Sequence, residues 1–465
     1  MARSNPFATF FAPGPDRPPR DLAPADLRRV YEGKRWSVFL SVTFGYAIFY
    51  VCRINFSVAK MSLLQDGILD TTQMGLIGSA MLVAYAIGKL VNGFISDRVN
   101  VRRFIASALL ASAIANLLFG LNTIFVVFVV LWALNGWFQS GGSAPSVVAL
   151  SNWFTFRERG TRYGIWSMSH PAGEAFTFAV TGALVSWLGW RWGFWGPGLL
   201  AGAAALILFR TLADRPETQG LPPVWQYKGE VEPIRTEKAP IGKLQLEVLR
   251  NPGVWILGLA SATMHVGRYG MDHWGPMFLQ TAKGYSQAES GLFMAISPIA
   301  SLAGTGLSGL ISDRLFASNR TIPLLMYGLL DIAALFALFL IPPGHGWLDT
   351  AALIVFGFAI GGLVVFLGGL MAVDIVSRRA AGAAMGLVGV FSYLGAAAQD
   401  TLSGYLLNGS QTVVDGKPFL PPESFDAVFP VWIGASIVSL LLACSLWWIR
   451  PPAAEPSADA TPPAS

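Results

Sequence analysis

The chain has 465 residues, of which 53% are hydrophobic and 13% are charged, and its mean hydropathy is +0.52. Soluble globular proteins typically carry about 25% charged residues, so this composition argues against a soluble domain and indicates a polytopic membrane protein. The net charge of +5 requires no nucleic-acid partner, because the basic loops of a membrane protein face anionic lipid.

Apolar runs long enough to cross a membrane recur along the chain. A helix needs about 20 residues to span about 30 Å of hydrocarbon. We predict twelve such helices, at approximately 36–59, 74–96, 103–122, 124–150, 162–188, 191–213, 253–281, 290–312, 321–342, 348–374, 383–407 and 428–449. The predicted fold class is therefore an all-α polytopic membrane protein.

The basic residues predict how these helices are oriented. If the amino terminus is cytoplasmic, 25 of the 32 Lys and Arg residues lie in cytoplasmic segments. The external loops then hold only Lys60, Arg191, Lys283 and Lys417. The positive-inside rule places both termini in the cytoplasm and the protein in the cell inner (plasma) membrane. Three basic residues remain within the membrane: Arg53, Lys89 and Arg268.

The sequence also repeats itself. The stretch "GLIGSAMLVAYAIGKLVNGFISDR" at 75–98 matches "GLFMAISPIASLAGTGLSGLISDR" at 291–314, which lies 216 positions later. In a second match, Gly160, Gly164 and Gly173 recur at an offset of 222. Parallel repeats related by an axis along the membrane normal place a substrate site between the two halves, near the bilayer midplane.

The repeat sets the predicted domain organisation. Residues 36–213 are expected to form an amino-terminal six-helix bundle and residues 253–449 a carboxy-terminal one, joined by a cytoplasmic linker at 214–252. Residues 1–35 are rich in Pro and Arg and have no apolar core, so they are predicted to be a disordered cytoplasmic tail and not a cleavable signal. Residues 450–465 are predicted to be a second disordered cytoplasmic tail.

Several motifs carry a family resemblance. Twelve spans, two "GxxSDR" loops and a long central loop resemble the major facilitator superfamily. Within it, "GYAIFYVCRINF", "AYAIGKLVNGFISDR", "RYGMDHWGPMFL" and "RRAAGAAMGLVGVFSYLGAA" resemble the organophosphate:phosphate antiporters, which include bacterial glycerol-3-phosphate and hexose-phosphate transporters. The resemblance covers about 36–449. It implies the major facilitator fold, with two pseudo-symmetric six-helix bundles.

Arg53 and Arg268 lie on the first helix of each half. Arg53 plus 216 falls one residue from Arg268, so the pseudo-twofold would bring the two guanidiniums to opposite sides of the central cavity. A guanidinium is planar, permanently charged and able to donate bidentately to phosphate oxygens. The resemblance implies this role for both residues, and we predict that they clamp a phosphate group. The alternative is a structural ion pair.

Aromatic and basic residues of the same helices are further candidates for this site. Tyr46, Tyr50 and Arg53 share one polar face of the first helix with Ser57. The resemblance implies cavity positions for Tyr46, Tyr393 and Lys89. The alternatives are core packing for the tyrosines and snorkelling towards the cytoplasm for Lys89.

His170, in "SMSHPAGEA", matches the substrate-site histidine of the family. An imidazole can hydrogen-bond phosphate and take up a proton near neutral pH, although a histidine in an apolar helix is more often a satisfied core residue. Glu174 lies one turn after His170, and Asp272 lies four residues after Arg268. Both acids are possible charge partners in this site, and the alternative for each is structural pairing at the cavity edge.

The chain departs from the family at three charged positions. Ile54, His273 and Pro298 stand where relatives carry a lysine and two acids, so the three charges are lost together and leave none unpaired. The eleventh helix is interpreted as neutral, and "GGL" at 361–363 replaces a Tyr-Gly-Pro. The organic part of the substrate is therefore not predicted. Asp331, in the ninth helix, has no counterpart in the family. Two interpretations stay open: a membrane-facing residue or a proton site.

The "SDR" loops contain Asp97, Arg98, Asp313 and Arg314. They are predicted to lock the cytoplasmic gate by contacting neighbouring helix ends, and to affect substrate only indirectly.

The predicted function is secondary active exchange of a small organophosphate for inorganic phosphate by alternating access. A dianion would neutralise the basic cavity and allow the two halves to rock about it. With no nucleotide-binding motif, nucleophile–base pair or metal-ligand spacing, we predict no enzyme activity, cofactor or metal, and we expect a monomer in the lipid bilayer. Two alternatives stay open: a hexose-phosphate receptor acting on a partner kinase, which "SYLGAAA" and the neutral eleventh helix resemble, and a carrier of another organic anion such as a phosphonate.

Overall fold

The computed structural model describes residues 6–96, 98–231, 241–316, 320–376, 380–414 and 416–446. Each predicted transmembrane helix coincides with helical structure, and we number these spans in chain order. The first half contains spans 1 to 6: Pro24–Gln65, Thr71–Ser96, Val101–Gly120, Phe125–Gln139 with Ser143–Trp153, Phe156–Ser167 with Ser169–Leu188, and Trp192–Thr211.

The second half contains spans 7 to 12: Pro252–Thr281, Gln287–Leu310 with the π-turn Ile311–Leu315, Thr321–Leu340, Gly346–Val365 with the π-turn Phe366–Leu370 and helix Met371–Asp374, Ala381–Ser410, and Phe429–Ser445. Short helices outside the spans are Pro6–Phe11, Val224–Tyr227 and Ile241–Arg250, with 3-10 turns at Pro216–Gln219 and Pro422–Ala427. The strands Thr412–Val414 and Lys417–Phe419 form an antiparallel hairpin, with Thr412 opposite Phe419, between spans 11 and 12.

Ten helical segments in the described part of the chain are long and apolar enough to cross a membrane. Spans 5 and 7 complete the predicted twelve, but they are less apolar because they carry the polar pairs His170 with Glu174 and Arg268 with Asp272. Polar residues inside a membrane span are costly and mark functional positions. The predicted all-α membrane fold is confirmed, and the two spans below the apolar threshold both carry residues predicted for the functional site.

The two halves pack against each other through pairs of helices related by the internal repeat. Span 2 contacts span 11, span 5 contacts span 8, and span 1 contacts span 7. A Cβ atom on Gly404 would lie 3.1 Å from the Cα of Gly75, and one on Gly182 would lie 3.1 Å from the Cα of Gly291. Gly75 and Gly291 are repeat equivalents at an offset of 216, and Gly182 and Gly404 are equivalents at 222. Glycine thus permits close approach at both symmetry-related seams.

At the other end of the bundle the corresponding glycines face open space. Outside the glycine's own stretch of helix, no atom of the described residues lies within 4 Å of the Cβ position at six of them: Gly93, Gly160, Gly164, Gly309, Gly382 and Gly386. These glycines lie at the end of the helical bundle where the "SDR" loops and the amino terminus are found. The close glycine contacts therefore lie at one end of the molecule, here called the closed end, and the glycines at the other, here called the open end, make no such contact.

The amino-terminal segment differs from the predicted disordered tail, because backbone hydrogen bonds hold it to the first half. Helix Pro6–Phe11 is followed by an extended stretch, and the first span begins at Pro24. The backbone N–H of Asn100 donates to the Phe11 carbonyl at 2.8 Å, and that of Arg17 donates to the Glu217 carbonyl at 3.0 Å. Backbone hydrogen bonds do not depend on which side chains are present, so the amino-acid composition of this segment could not predict them.

The start of the predicted linker is also docked on the first half. The Tyr227 ring stacks on Tyr31 with centroids 3.8 Å apart. Lys228 Nζ lies 3.4 Å from Glu32 Oε1, and Arg35 bonds both Glu32 and Glu158. Glu158 precedes the predicted membrane segment 162–188, and its side chain is 32% exposed. Burial opposes its ionisation, but its hydrogen bond to Arg35 and the charge of that guanidinium hold its pKa below the ordinary value.

This ion-pair cluster predicts an acid-sensitive contribution to stability. Because the pKa of Glu158 is lower in the folded protein than in the unfolded chain, its contribution is present above the unfolded pKa and is lost as pH falls through the folded pKa. We expect Glu158→Gln to lower the melting temperature of the purified protein at about pH 6, with the difference shrinking by about pH 4. The exposed Glu423→Gln variant is the control. A difference that stays constant with pH would contradict the assignment.

Candidate functional site

Arg53 lies in the middle of span 1 and is only 3% exposed. Its Cζ lies 3.8 Å from the ring centroid of Tyr85, 5.0 Å from that of Tyr50 and 5.9 Å from that of Tyr393. Its Nε and Nη2 have no hydrogen-bond partner, and in the described part of the chain no carboxylate oxygen lies within 4.0 Å of it. Aromatic faces thus hold the guanidinium by cation–π contacts, while its donors remain available to an anion.

Arg268, in span 7, is held by polar partners from both halves. Its Nη2 lies 3.1 Å from His170 Nε2 of span 5, and its Nε lies 3.4 Å from Asp272 Oδ2. Arginine can only donate, so His170 Nε2 accepts this bond and a neutral ring carries its proton on Nδ1. The two residues predicted to bind substrate are therefore already joined across the interface between the halves.

Tyr50 connects the two arginines. Its ring stacks on His170 with centroids 4.2 Å apart, and its other neighbours include the guanidinium of Arg53. A second aromatic route passes through Tyr393 and Tyr269, whose ring centroids are 6.2 Å apart, with Arg268 Cζ 5.4 Å from Tyr269. The structure thus brings Arg53 and Arg268 to one aromatic cluster, and their clamping of a phosphate group stays a prediction.

The remaining candidates lie around this cluster. Tyr46 packs against Tyr50 at 5.6 Å and against Trp166 at 4.7 Å between centroids. Lys89 is exposed, with its Nζ 5.3 Å from the ring centroid of Tyr393. Ser57, on the predicted polar face of span 1, instead donates to the carbonyl of Ile54 at 2.7 Å and is satisfied within its own helix. Tyr85 and Tyr269, which the sequence did not single out as site residues, complete the cluster.

Two carboxyl groups lie beside the basic residues. His170 Nε2 is 3.4 Å from Glu174 Oε2, in the same i, i+4 relation that joins Arg268 to Asp272. The side chains of Glu174 and Asp272 are 5% and 8% exposed, and each is held beside a basic residue of its own helix. Both possible charge partners are therefore located at the site, each one helical turn nearer the closed end than its basic neighbour.

A buried ion pair between the halves was missed by sequence reasoning. Lys60 Nζ lies 3.2 Å from Asp400 Oδ1, both side chains are 0% exposed, and Asp400 Oδ2 lies 2.8 Å from His273 Nδ1. Lys60 Nζ also lies 3.4 Å from the ring centroid of Trp274. The assignment of Lys60 to an external loop is wrong, because the first helix continues to Gln65.

Asp400 also shows that the eleventh helix is not neutral. It lies within the predicted span 383–407, so the signal was present as a single acid in an apolar run. Ile54 is a core residue at 2% exposure, whereas His273 binds Asp400. A charged contact between the halves is thus present, but at Lys60 and Asp400 and not at the positions that Ile54, His273 and Pro298 occupy.

The "SDR" loops make contacts near the open end. Asp313 Oδ1 accepts a hydrogen bond from Arg320 Nη1 at 2.6 Å, and Arg320 Nε lies 3.6 Å from Asp374 Oδ2. Arg98 and Arg314 are exposed, and the predicted partner Asp97 lies outside the described residues. The second loop therefore contacts neighbouring helix ends, as expected of it, while its gating role stays a prediction.

Asp331 does not face the membrane. It is 1% exposed and lies beside a cavity of about 10 Å³ inside the second half, together with Ser436 and Ser439. Its Oδ1 has no hydrogen-bond partner. The interpretation as a membrane-facing residue is wrong, and the structure assigns it no contact with the arginine site.

The buried ion pair predicts a coupled effect of substitution. Asp400→Asn leaves the Lys60 ammonium buried without its counter-charge, and breaking a buried pair in this way typically costs about 3–5 kcal/mol. We expect Asp400→Asn to lower the free energy of unfolding strongly and the double variant Lys60→Met, Asp400→Asn to recover most of the loss. A double-mutant cycle on denaturant unfolding in detergent measures this coupling, and purely additive effects would show that the two groups do not interact.

Comparisons with known proteins agree with this architecture. A family model described as "Major Facilitator Superfamily" matches residues 42–399. The chain is 32% identical to a "Probable hexose phosphate transport protein" of Chlamydia pneumoniae, over 90% of this chain and 93% of the relative. It is 33% identical to a "Glycerol-3-phosphate transporter" of Bacillus subtilis, over 79% of this chain and 85% of the relative.

A "Membrane sensor protein UhpC" of Escherichia coli is 30% identical to the chain, over 79% of this chain and 84% of the relative. Among solved structures, a bacterial homolog of the human lysosomal transporter Spinster matches with a TM-score of 0.74 at 19% identity, over 90% of this chain and 99% of that one. This structural similarity concerns the fold alone.

Proposed function

Because the chain belongs to the Major Facilitator Superfamily, we propose that it is a secondary transporter of small organophosphates, of the hexose-phosphate or glycerol-3-phosphate kind. The proposal is supported by relatives that carry those names at about one-third identity over most of their length. It is also supported by the chemistry of the arginine site, which offers planar donors at the interface between two six-helix halves.

One observation carries the proposal. Arg53 is a permanently charged group, 3% exposed, with two nitrogens that have no hydrogen-bond partner. Leaving such donors unpaired in a buried place is costly, so the position is explained by a ligand that supplies oxygen acceptors. A phosphate monoester supplies three acceptor oxygens and close to two negative charges at neutral pH, which matches a site containing a second guanidinium.

The proposed mechanism is exchange of the organophosphate for inorganic phosphate by alternating access. The ligand enters from the open end and is bound by Arg53 on one half and Arg268 on the other. Neutralising these charges lowers the repulsion that opposes approach of the two halves at the open end. For release on the other side, the closed end must then part at the Gly75–Gly404 and Gly182–Gly291 seams and at the Lys60–Asp400 ion pair.

Orientation and assembly form part of the same proposal. The excess of basic residues on the side of the termini places both termini in the cytoplasm of a cell with the protein in its inner membrane. The open end is then cytoplasmic, and the closed end faces outwards. Each half contributes one arginine to a single central site, so one chain suffices as the transporting unit.

A receptor for hexose phosphate is the second candidate, because a sensor protein is among the relatives at 30% identity. The finding that Asp400 places a charge in span 11 weakens the earlier resemblance to that branch. Reconstituted protein distinguishes the two functions. A transporter accumulates radiolabelled phosphate in vesicles preloaded with phosphate, whereas a sensor binds organophosphate without exchange.

The substrate panel should separate organophosphates from other anions. Glucose-6-phosphate, glycerol-3-phosphate, 3-phosphoglycerate, a simple phosphonate and a dicarboxylate are each added without label against phosphate exchange in vesicles. Competition by phosphate esters and not by the dicarboxylate is expected. Competition by the dicarboxylate alone would contradict the proposed substrate class.

The arginine site predicts a specific loss on conservative substitution. Arg53→Lys and Arg268→Lys keep the charge but remove the planar fork, so each should weaken phosphate binding. Losing one charged hydrogen-bonded partner typically costs about 2–5 kcal/mol, which corresponds to at least about 30-fold in affinity. Arg191→Lys, in the loop before span 6, is the matched control. Near-normal affinity in either site variant would remove that arginine from the binding site.

A further inference from the structure

The candidate site has an acidic layer beside its basic one. His170 and Arg268 meet across the interface, and four residues further along the same helices Glu174 and Asp272 lie 3.4 Å from His170 Nε2 and Arg268 Nε. Four helical residues correspond to a rise of about 6 Å. The site therefore presents cationic donors and a pair of carboxyl groups at two levels, about one helical turn apart.

The two levels make different demands on a ligand. The unpartnered nitrogens of Arg53 point to an anionic group. The carboxyl groups of Glu174 and Asp272 repel one, because like charges in a buried place are costly. Asp272 is paired with the guanidinium of Arg268. Glu174 instead lies beside His170 Nε2, and this nitrogen already accepts a hydrogen bond from Arg268.

Charge balance leads to the same distinction. The cluster contains three cationic side chains, Arg53, Arg268 and Lys89, and two carboxyl groups, Glu174 and Asp272. If both acids are ionised, a dianionic phosphate monoester brings the occupied site to a net charge of about −1. A phosphate ester that also carries an ammonium group brings it close to neutral, which is the state that a nearly enclosed site of low dielectric favours.

We propose that this site takes zwitterionic phosphate or phosphonate esters, with the phosphate group on Arg53 and Arg268 and an ammonium group between Glu174 and Asp272. The inference rests on the proposed function and specifies its substrate class. The carboxyl oxygens of Glu174 and Asp272 lie only 3.4 Å from their basic neighbours, so a short spacer must join the phosphate group to the ammonium group. Short aminoalkyl phosphates and aminoalkyl phosphonates meet these requirements.

The test uses two ligands that differ in one group. O-Phosphoethanolamine and 2-hydroxyethyl phosphate have the same phosphate and spacer, but only the first carries an ammonium group. Each is titrated against exchange of labelled phosphate in vesicles containing the full-length protein. In the unmodified protein, O-phosphoethanolamine should compete at a concentration about tenfold lower than 2-hydroxyethyl phosphate, since charge-assisted hydrogen bonds are stronger than neutral ones.

Two variants locate the preference. Glu174→Gln and Asp272→Asn each remove one carboxylate at nearly constant volume, and the ratio of the two competing concentrations should fall to about one in each. Using a ratio within each variant removes any effect of altered transport rate. The exposed Glu423→Gln variant should keep the ratio of the unmodified protein. The rise in melting temperature that each ligand causes in detergent gives the same comparison for a variant that no longer transports.

The outcomes separate this inference from the proposed function. Equal competition by the two ligands in the unmodified protein would overturn the inference and leave organophosphate transport intact. A preference for the ammonium compound that survives both substitutions would also overturn it, because the group would then bind elsewhere. If neither ligand nor phosphate itself exchanges or stabilises the protein, the proposed function fails.

Discussion

A buried guanidinium without a counter-charge is the constraint on which this structure depends. Among the described residues Arg53 is held by aromatic faces and not by an acid, and its Nε and Nη2 have no hydrogen-bond partner. Each surrounding tyrosine belongs to a different helix, from span 1 through spans 2 and 11. Both halves thus pack around a buried charge, and the proposed binding of an anion there would connect the fold to transport.

Sequence analysis identifies charged residues most readily where they lie in apolar segments. Arg53 and Arg268 stand out because a charge interrupts an apolar run, and the repeat indicates which spans pair. The Lys60–Asp400 pair could not be assigned in this way, because its members lie 340 residues apart and Lys60 falls at the boundary between helix and loop. The docking of residues 6–23 depends largely on backbone groups, which a composition-based reading does not detect.

The structure has its charged contact between the halves at positions other than the three that the family resemblance singled out. Ile54 fills a core position, and His273 is bound to an acid from span 11. A cross-half contact is therefore maintained by different residues, further towards the closed end. The central site has its own acids, Glu174 and Asp272, so charge is divided between a seam that joins the halves and the site proposed to bind the ligand.

The ion pair at the closed end also breaks the symmetry of the repeat. The glycine seams occur twice, once between spans 2 and 11 and once between spans 5 and 8, whereas Lys60 and Asp400 have Pro276 and Phe178 at the corresponding offsets of 216 and 222. Only one of the two seams is therefore fastened by charge. We therefore expect opening at this end to begin where spans 5 and 8 meet, as a hinge about the fastened side and not as an even separation of two identical edges.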